Sequence, residues 1–117
     1  MLGVYFFRTD AGNEPVLDWL RALDAGDRRV IGEDLRTVQI GWPLGMPLCR
    51  SLGDGLYEVR SNITGNRITR LVFFQHGSDL IIVEGFIKKS RTTPDDVLKL
   101  AKRRRSDFLR YEAEKRR

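Results

Sequence analysis

Cysteine occurs once in these 117 residues, at Cys49, and histidine once, at His76. A lone cysteine cannot close an internal disulfide, so a reduced, cytoplasmic setting is the expectation. One cysteine and one histidine also leave no cluster with the ligand spacing of a zinc or similar site, and no cofactor is expected. No apolar run approaches the roughly 18–20 residues that span a bilayer. The opening "MLGVYFFRTD" is too short and too soon charged for a signal peptide, so no membrane partner is expected. "GWPLG" and "GDG" lack the rest of a phosphate-binding loop and read as turns. Internal repeats and low-complexity linkers are absent as well.

What remains is the composition of one folded domain, 41% hydrophobic and 32% charged. The charge is unevenly placed. Residues 86–117 hold 12 Lys and Arg against 5 Asp and Glu, while residues 1–85 hold 9 against 11. A basic end on a near-neutral body suits an RNA, DNA or acidic protein partner, or a solvated helix with a charged tail.

"GVYFFR" reads as a strand. "NEPVLDWLRAL" carries helix-start signals, with Asn13 as N-cap and Pro15 in the first turn, and Val16, Trp19, Leu20 and Leu23 form one apolar face. A second helix is expected from about Asp27 to Ile40, stopped by Gly41. Gly41 to Gly55 holds two prolines and four glycines and reads as a loop. Three strands follow, Leu56–Ser61, Ile68–Gln75 and Leu80–Ile87, with turns short enough for an antiparallel meander. "TTPDDVLKLAKRRRSDFLR" begins a closing helix, with Thr93 as N-cap and Pro94 at its first position. The predicted fold is α+β, an antiparallel sheet of about four strands in the order βααβββα. The helices are expected on one face, with the other face open.

Arginines stand inside this meander, at Arg60, Arg67 and Arg70. Strand alternation puts Glu58 and Arg60 on one face, and Leu80, Ile82, Glu84, Phe86 and Lys88 on one face. Glu58, Arg60, Arg70, Glu84 and Lys88 can then converge. Two readings fit: a ladder of exposed ion pairs, Glu58 with Arg70 and Glu84 with Lys88, or a cationic cleft for a phosphodiester. Cys49 reads as an apolar filler, His76 as a solvated turn residue, and Trp19 and Trp42 as packing residues.

"GLYEVRSN", "TRLVFFQ" and "LIIVEGFIKKSRTTPDDVLKLAKRR" together resemble the phage-derived, HigB-like branch of the RelE/ParE toxin superfamily. The shared pattern is a Gly-Leu-x-Glu-hydrophobic-Arg strand, an Arg-hydrophobic strand, and a Gly-Phe-x-Lys-Lys element before Thr-Pro and a helix. The resemblance implies a toxin of a type II toxin–antitoxin pair, a ribosome-dependent mRNA endonuclease that needs no metal and uses the RNA 2′-OH. A DNA gyrase inhibitor on the same fold and an inactive phage-derived remnant are the alternatives. By position, the resemblance implies Arg60, Arg70 and Lys89 as catalytic cations. Proton transfer falls to Glu84 or Glu58 if burial raises its pKa toward neutrality. Lys88, Arg67, Arg91, Lys102 and Arg103 are expected to bind RNA. The implied partners are mRNA on the ribosome and an antitoxin of helix-turn-helix type, through which alone the toxin would meet DNA.

Overall fold

The apolar run at the start forms β1 (Gly3–Phe6) and turns at Asp10–Gly12 into α1 (Pro15–Arg21), in a computed structural model that describes residues 1–87 and 93–115. Pro15 supplies the fixed φ of a first helical turn, but the capping position is Glu14 rather than Asn13. α2 (Ala25–Gly41), the second expected helix, follows at once. The strands β3 (Leu56–Ile63), β4 (Arg67–His76) and β5 (Asp79–Ile87) form the expected antiparallel meander, and α3 (Asp95–Lys115) closes the chain.

The sheet departs from expectation in two ways. Among the described residues it has five strands, ordered β1-β5-β4-β3-β2, and β1 runs parallel to β5. The added strand, β2 (Cys49–Gly53), lies inside the stretch expected to be a loop and pairs with β3. Its signal is the short alternation of Leu48, Arg50 and Leu52 with Cys49 and Ser51, set among turn formers.

Helices cover both faces rather than one. On the first face Val16, Leu20, Ile31 and Val38 of α1 and α2 meet Val59, Leu71, Phe73, Leu80 and Ile82. On the second, Val97, Ala101 and Phe108 of α3 meet Leu56, Val72, Phe74, Ile81 and Val83. β4 is buried from Thr69 through Phe74, because its apolar residues point both ways. A second apolar face has to be covered, and the closing helix covers it. Phe73 is fully buried between Trp42, 5.1 Å away edge to face, and Tyr57, stacked at 5.8 Å. Gly85 lets α1 lie close on β5, since a Cβ there would stand 3.0 Å from both Leu71 and Trp19.

A bulge in β5 overturns the expected common face of Leu80, Ile82, Glu84 and Phe86. Val72 pairs with Glu84, but Phe73 pairs with Ile82, leaving Val83 as the extra residue. Leu80 and Ile82 therefore join the α1–α2 core, while Glu84 and Phe86 turn to the α3 face.

The β3–β4 turn is held by a buried carboxylate. Asp27 of α2 is 2% exposed and accepts from the Thr64 backbone N–H at 3.1 Å, the Thr64 hydroxyl at 3.2 Å and Arg67 Nη2 at 3.1 Å. Asp27→Ala strands these donors, and a loss of about 1–3 kcal/mol is expected. It would appear as a lower urea midpoint at unchanged slope, and an unshifted midpoint contradicts the assignment.

Candidate nucleic-acid interface

Strand register decides which charged side chains meet. On the α3 face of the sheet, Arg50 of β2 stands directly opposite Glu58 of β3, and Arg60 of β3 directly opposite Arg70 of β4. Directly opposed residues on one face have Cβ atoms about 4.5–5.5 Å apart. Three guanidinium groups, on Arg50, Arg60 and Arg70, thus surround one carboxylate, that of Glu58.

The pair at the centre is dry. Glu58 is 0% and Arg70 2% exposed, and Arg70 Nη1 donates to Glu58 Oε1 in a short contact. The second carboxylate oxygen, Oε2, accepts from the Thr93 hydroxyl at 3.1 Å, just before α3 begins. Arg70 Nε is buried with no hydrogen-bond partner among the described residues. Burial pushes the Arg70 guanidinium below its ordinary value; Glu58 opposes that shift, and Arg60 and Arg50 add to it. An arginine held in this way remains charged, and it feels two neighbours of its own sign. Arg50 and Arg60 are each half-buried, so they form the solvent-facing part of the cluster. No hydrogen bond or ion pair holds the Arg60 side chain among the described residues.

The other expected site residues are dispersed. Glu84 lies in the same cross-strand row as Glu58, beyond Val72, and pairs with Arg104 at 3.5 Å while accepting from the Gly85 N–H at 2.9 Å. Arg67 points to the opposite face, where it pairs with Asp27 and donates through Nε to the Thr64 carbonyl at 2.9 Å. Lys102 and Arg103 lie exposed on α3, apart from the guanidinium cluster, with Arg103 beside β1. Lys88, Lys89 and Arg91 lie outside the described residues.

Part of the basic helix is structural. Arg104 donates to the Val83 carbonyl at 2.7 Å and sits 5.5 Å above the Phe7 ring, and Arg105 pairs with Asp54 at 3.0 Å. His76 packs edge to face on Phe108 at 5.1 Å instead of standing solvated in its turn. Trp42 packs as expected and donates through Nε1 to Gln75. The reading of the sequence missed Arg50, because it assigned β2 to a loop, and missed the contact of Thr93 with Glu58, which joins residues 35 positions apart.

Cys49 is 1% exposed, and burial pushes its thiol up to about 11 from 9.0. The folded state therefore retains a proton that the unfolded chain releases between pH 9 and 11, and stability falls as pH rises through that window. Native protein at pH 8 is expected to resist alkylation by iodoacetamide until urea unfolds it; rapid native labelling contradicts the burial.

A family model described as "Phage derived protein Gp49-like (DUF891)" matches residues 18–106, well over half of the chain. No curated protein matches it.

Proposed function

This chain belongs to the phage-derived Gp49-like family, a family of RelE/HigB-type toxins of toxin–antitoxin systems, and on that premise we propose that it is an endoribonuclease cutting mRNA on the ribosome until an antitoxin restrains it. The observation that carries this reading is the cluster of Arg50, Arg60 and Arg70 around the single carboxylate of Glu58. Its surplus of positive charge suits a phosphodiester.

Cleavage without a metal starts from the 2′-OH of the RNA. Its oxygen bonds to the adjacent phosphorus, the bond from phosphorus to the 5′ oxygen breaks, and a cyclic 2′,3′-phosphate and a 5′-OH result. One proton leaves the 2′-OH and one reaches the departing 5′ oxygen. Negative charge collects on the nonbridging oxygens, where fixed cations stabilise it. Arg60 faces solvent enough to reach them. Lys89 joins it by its place in the Gly-Phe-x-Lys-Lys element. Arg70 acts from below, through its field and by holding Glu58. Both Glu58 oxygens accept hydrogen bonds, whereas the Arg104 and Gly85 contacts of Glu84 fall on Oε1 alone, so we assign proton transfer to Glu84, one strand beyond Val72 in the same row.

The test is expression without an antitoxin, with primer extension of cellular transcripts. New 5′ ends should appear within minutes of induction and be absent with a folded Arg60→Ala variant. Intact transcripts alongside accumulated gyrase–DNA cleavage complexes would replace this reading with gyrase inhibition. Intact transcripts with normal growth would mark an inactive remnant.

A further inference from the structure

Among the described residues, β1 ends the sheet and has a strand neighbour on one side only. The Gly3 and Phe7 N–H groups donate to Ser78 and Ile82 of the β5 side, so strand alternation turns the N–H and C=O of Val4 and Phe6 outward. Leu2, one step before, is capped by Gln39, whose backbone carbonyl accepts from the Leu2 N–H and whose side chain donates to the Leu2 carbonyl. Among the described residues no backbone hydrogen bond outside the elements meets Val4 or Phe6. An open edge of this kind is a template for another strand.

Beside the edge, on the α3 face, runs a groove of about 720 Å³ with β1 as floor and the C-terminal half of α3 as wall. It adjoins a second groove of about 630 Å³ across Phe108. The aromatic surface is open to solvent, Tyr5 being 57% and Tyr111 59% exposed. From Arg103 to Lys115 the wall is about 18 Å long at 1.5 Å per residue. At about 3.3 Å per residue, five or six extended residues cover that length.

We propose that the outer edge of β1 and this groove bind an extended segment of a partner protein by strand addition. The segment alternates apolar with acidic residues. On the toxin reading given above, the partner is the antitoxin. The groove lining is balanced in charge, with Arg8, Arg103 and Arg104 against Asp10, Asp107 and Glu112, so the residues that enter it are apolar. The segment that includes the α3 wall, residues 86–117, holds 12 Lys and Arg against 5 Asp and Glu, which favours acidic residues in the partner segment and disfavours a second copy of this chain. Main-chain bonds to Val4 and Phe6 supply affinity, and the pocket beside Tyr5 and Tyr111 supplies specificity.

The probe is a synthetic hexapeptide of alternating valine and glutamate, titrated into the whole chain and followed by amide NMR. Saturable shifts are expected at the Val4 and Phe6 amides and around Tyr5 and Tyr111. Val4→Pro removes one outward donor at an edge position that accepts proline, and it should weaken binding at least tenfold. Tyr5→Ala should also weaken it while leaving the Val4 donor in place. Shifts absent at millimolar peptide, or confined to other surfaces, overturn the proposal, as does self-association through β1 in place of peptide binding. The result is independent of RNA cleavage. A chain that takes the peptide but cuts no RNA keeps the docking edge and loses the toxin reading, and a chain that cuts RNA but ignores the peptide does the reverse.

Discussion

Glu58→Ala is expected to lower the free energy of unfolding by about 3–5 kcal/mol, the usual cost of removing one partner from a buried ion pair. Glu58 is 0% and Arg70 2% exposed, so solvent cannot take over the role of the lost carboxylate. The damage extends beyond one contact. Arg70 Nε already lacks a partner among the described residues, and without Glu58 the whole guanidinium would stand unpaired beside the fields of Arg50 and Arg60. The Thr93 hydroxyl would lose its acceptor too. Adding Arg70→Met should restore much of the loss, because an apolar side chain of similar length removes the stranded charge. Urea unfolding of both single variants and the double variant measures this as a thermodynamic cycle. A loss under about 1 kcal/mol for Glu58→Ala would mean that the pair is not dry.

Arg60→Ala is expected to act on the chemistry alone. Loss of one well-placed donor to a developing anion typically lowers the rate by about 10²–10³-fold. Stability should stay within about 0.5 kcal/mol, since no hydrogen bond or ion pair holds the Arg60 side chain among the described residues. Arg60→Lys should recover part of the rate, because it keeps the charge and gives up the planar, two-pronged donor. The measurement is cleavage of ribosome-bound message at matched protein concentration. Full activity in a folded Arg60→Ala variant would remove Arg60 from the site.

The contrast between these two variants follows from the strand register, and register was the least legible part of the sequence. The meander could be read directly, since Leu56–Ile63, Arg67–His76 and Asp79–Ile87 are runs rich in β-branched and aromatic residues joined by short turns. The two-sided apolarity of β4 was equally plain, yet the helix that covers its second face was not placed there. Alternation then failed at a single residue. Val83 is apolar like its neighbours, and nothing in "LIIVEG" marks it as the extra residue of a bulge. Arg67 was grouped with Arg60 and Arg70 by proximity along the chain, but Asp27, forty residues earlier, draws it to the other side of the sheet. Of the expected ion-pair ladder, the Glu58–Arg70 pair is present, buried rather than exposed, while Glu84 pairs with Arg104. Arg70 is the paired member of the guanidinium cluster, and Arg60 is the one left facing outward.

α3 is fastened to the body through Arg104 and Arg105, while Lys99, Lys102, Arg103 and Arg110 stay exposed along a molecule 47 Å long and 28 Å wide. Fixed cations gathered on one helix, against a body whose residues 1–85 hold 11 Asp and Glu to 9 Lys and Arg, give the protein a permanent electric moment. A polyanion in its neighbourhood would turn the molecule before touching it, and ionic strength would then govern how often encounters are correctly oriented.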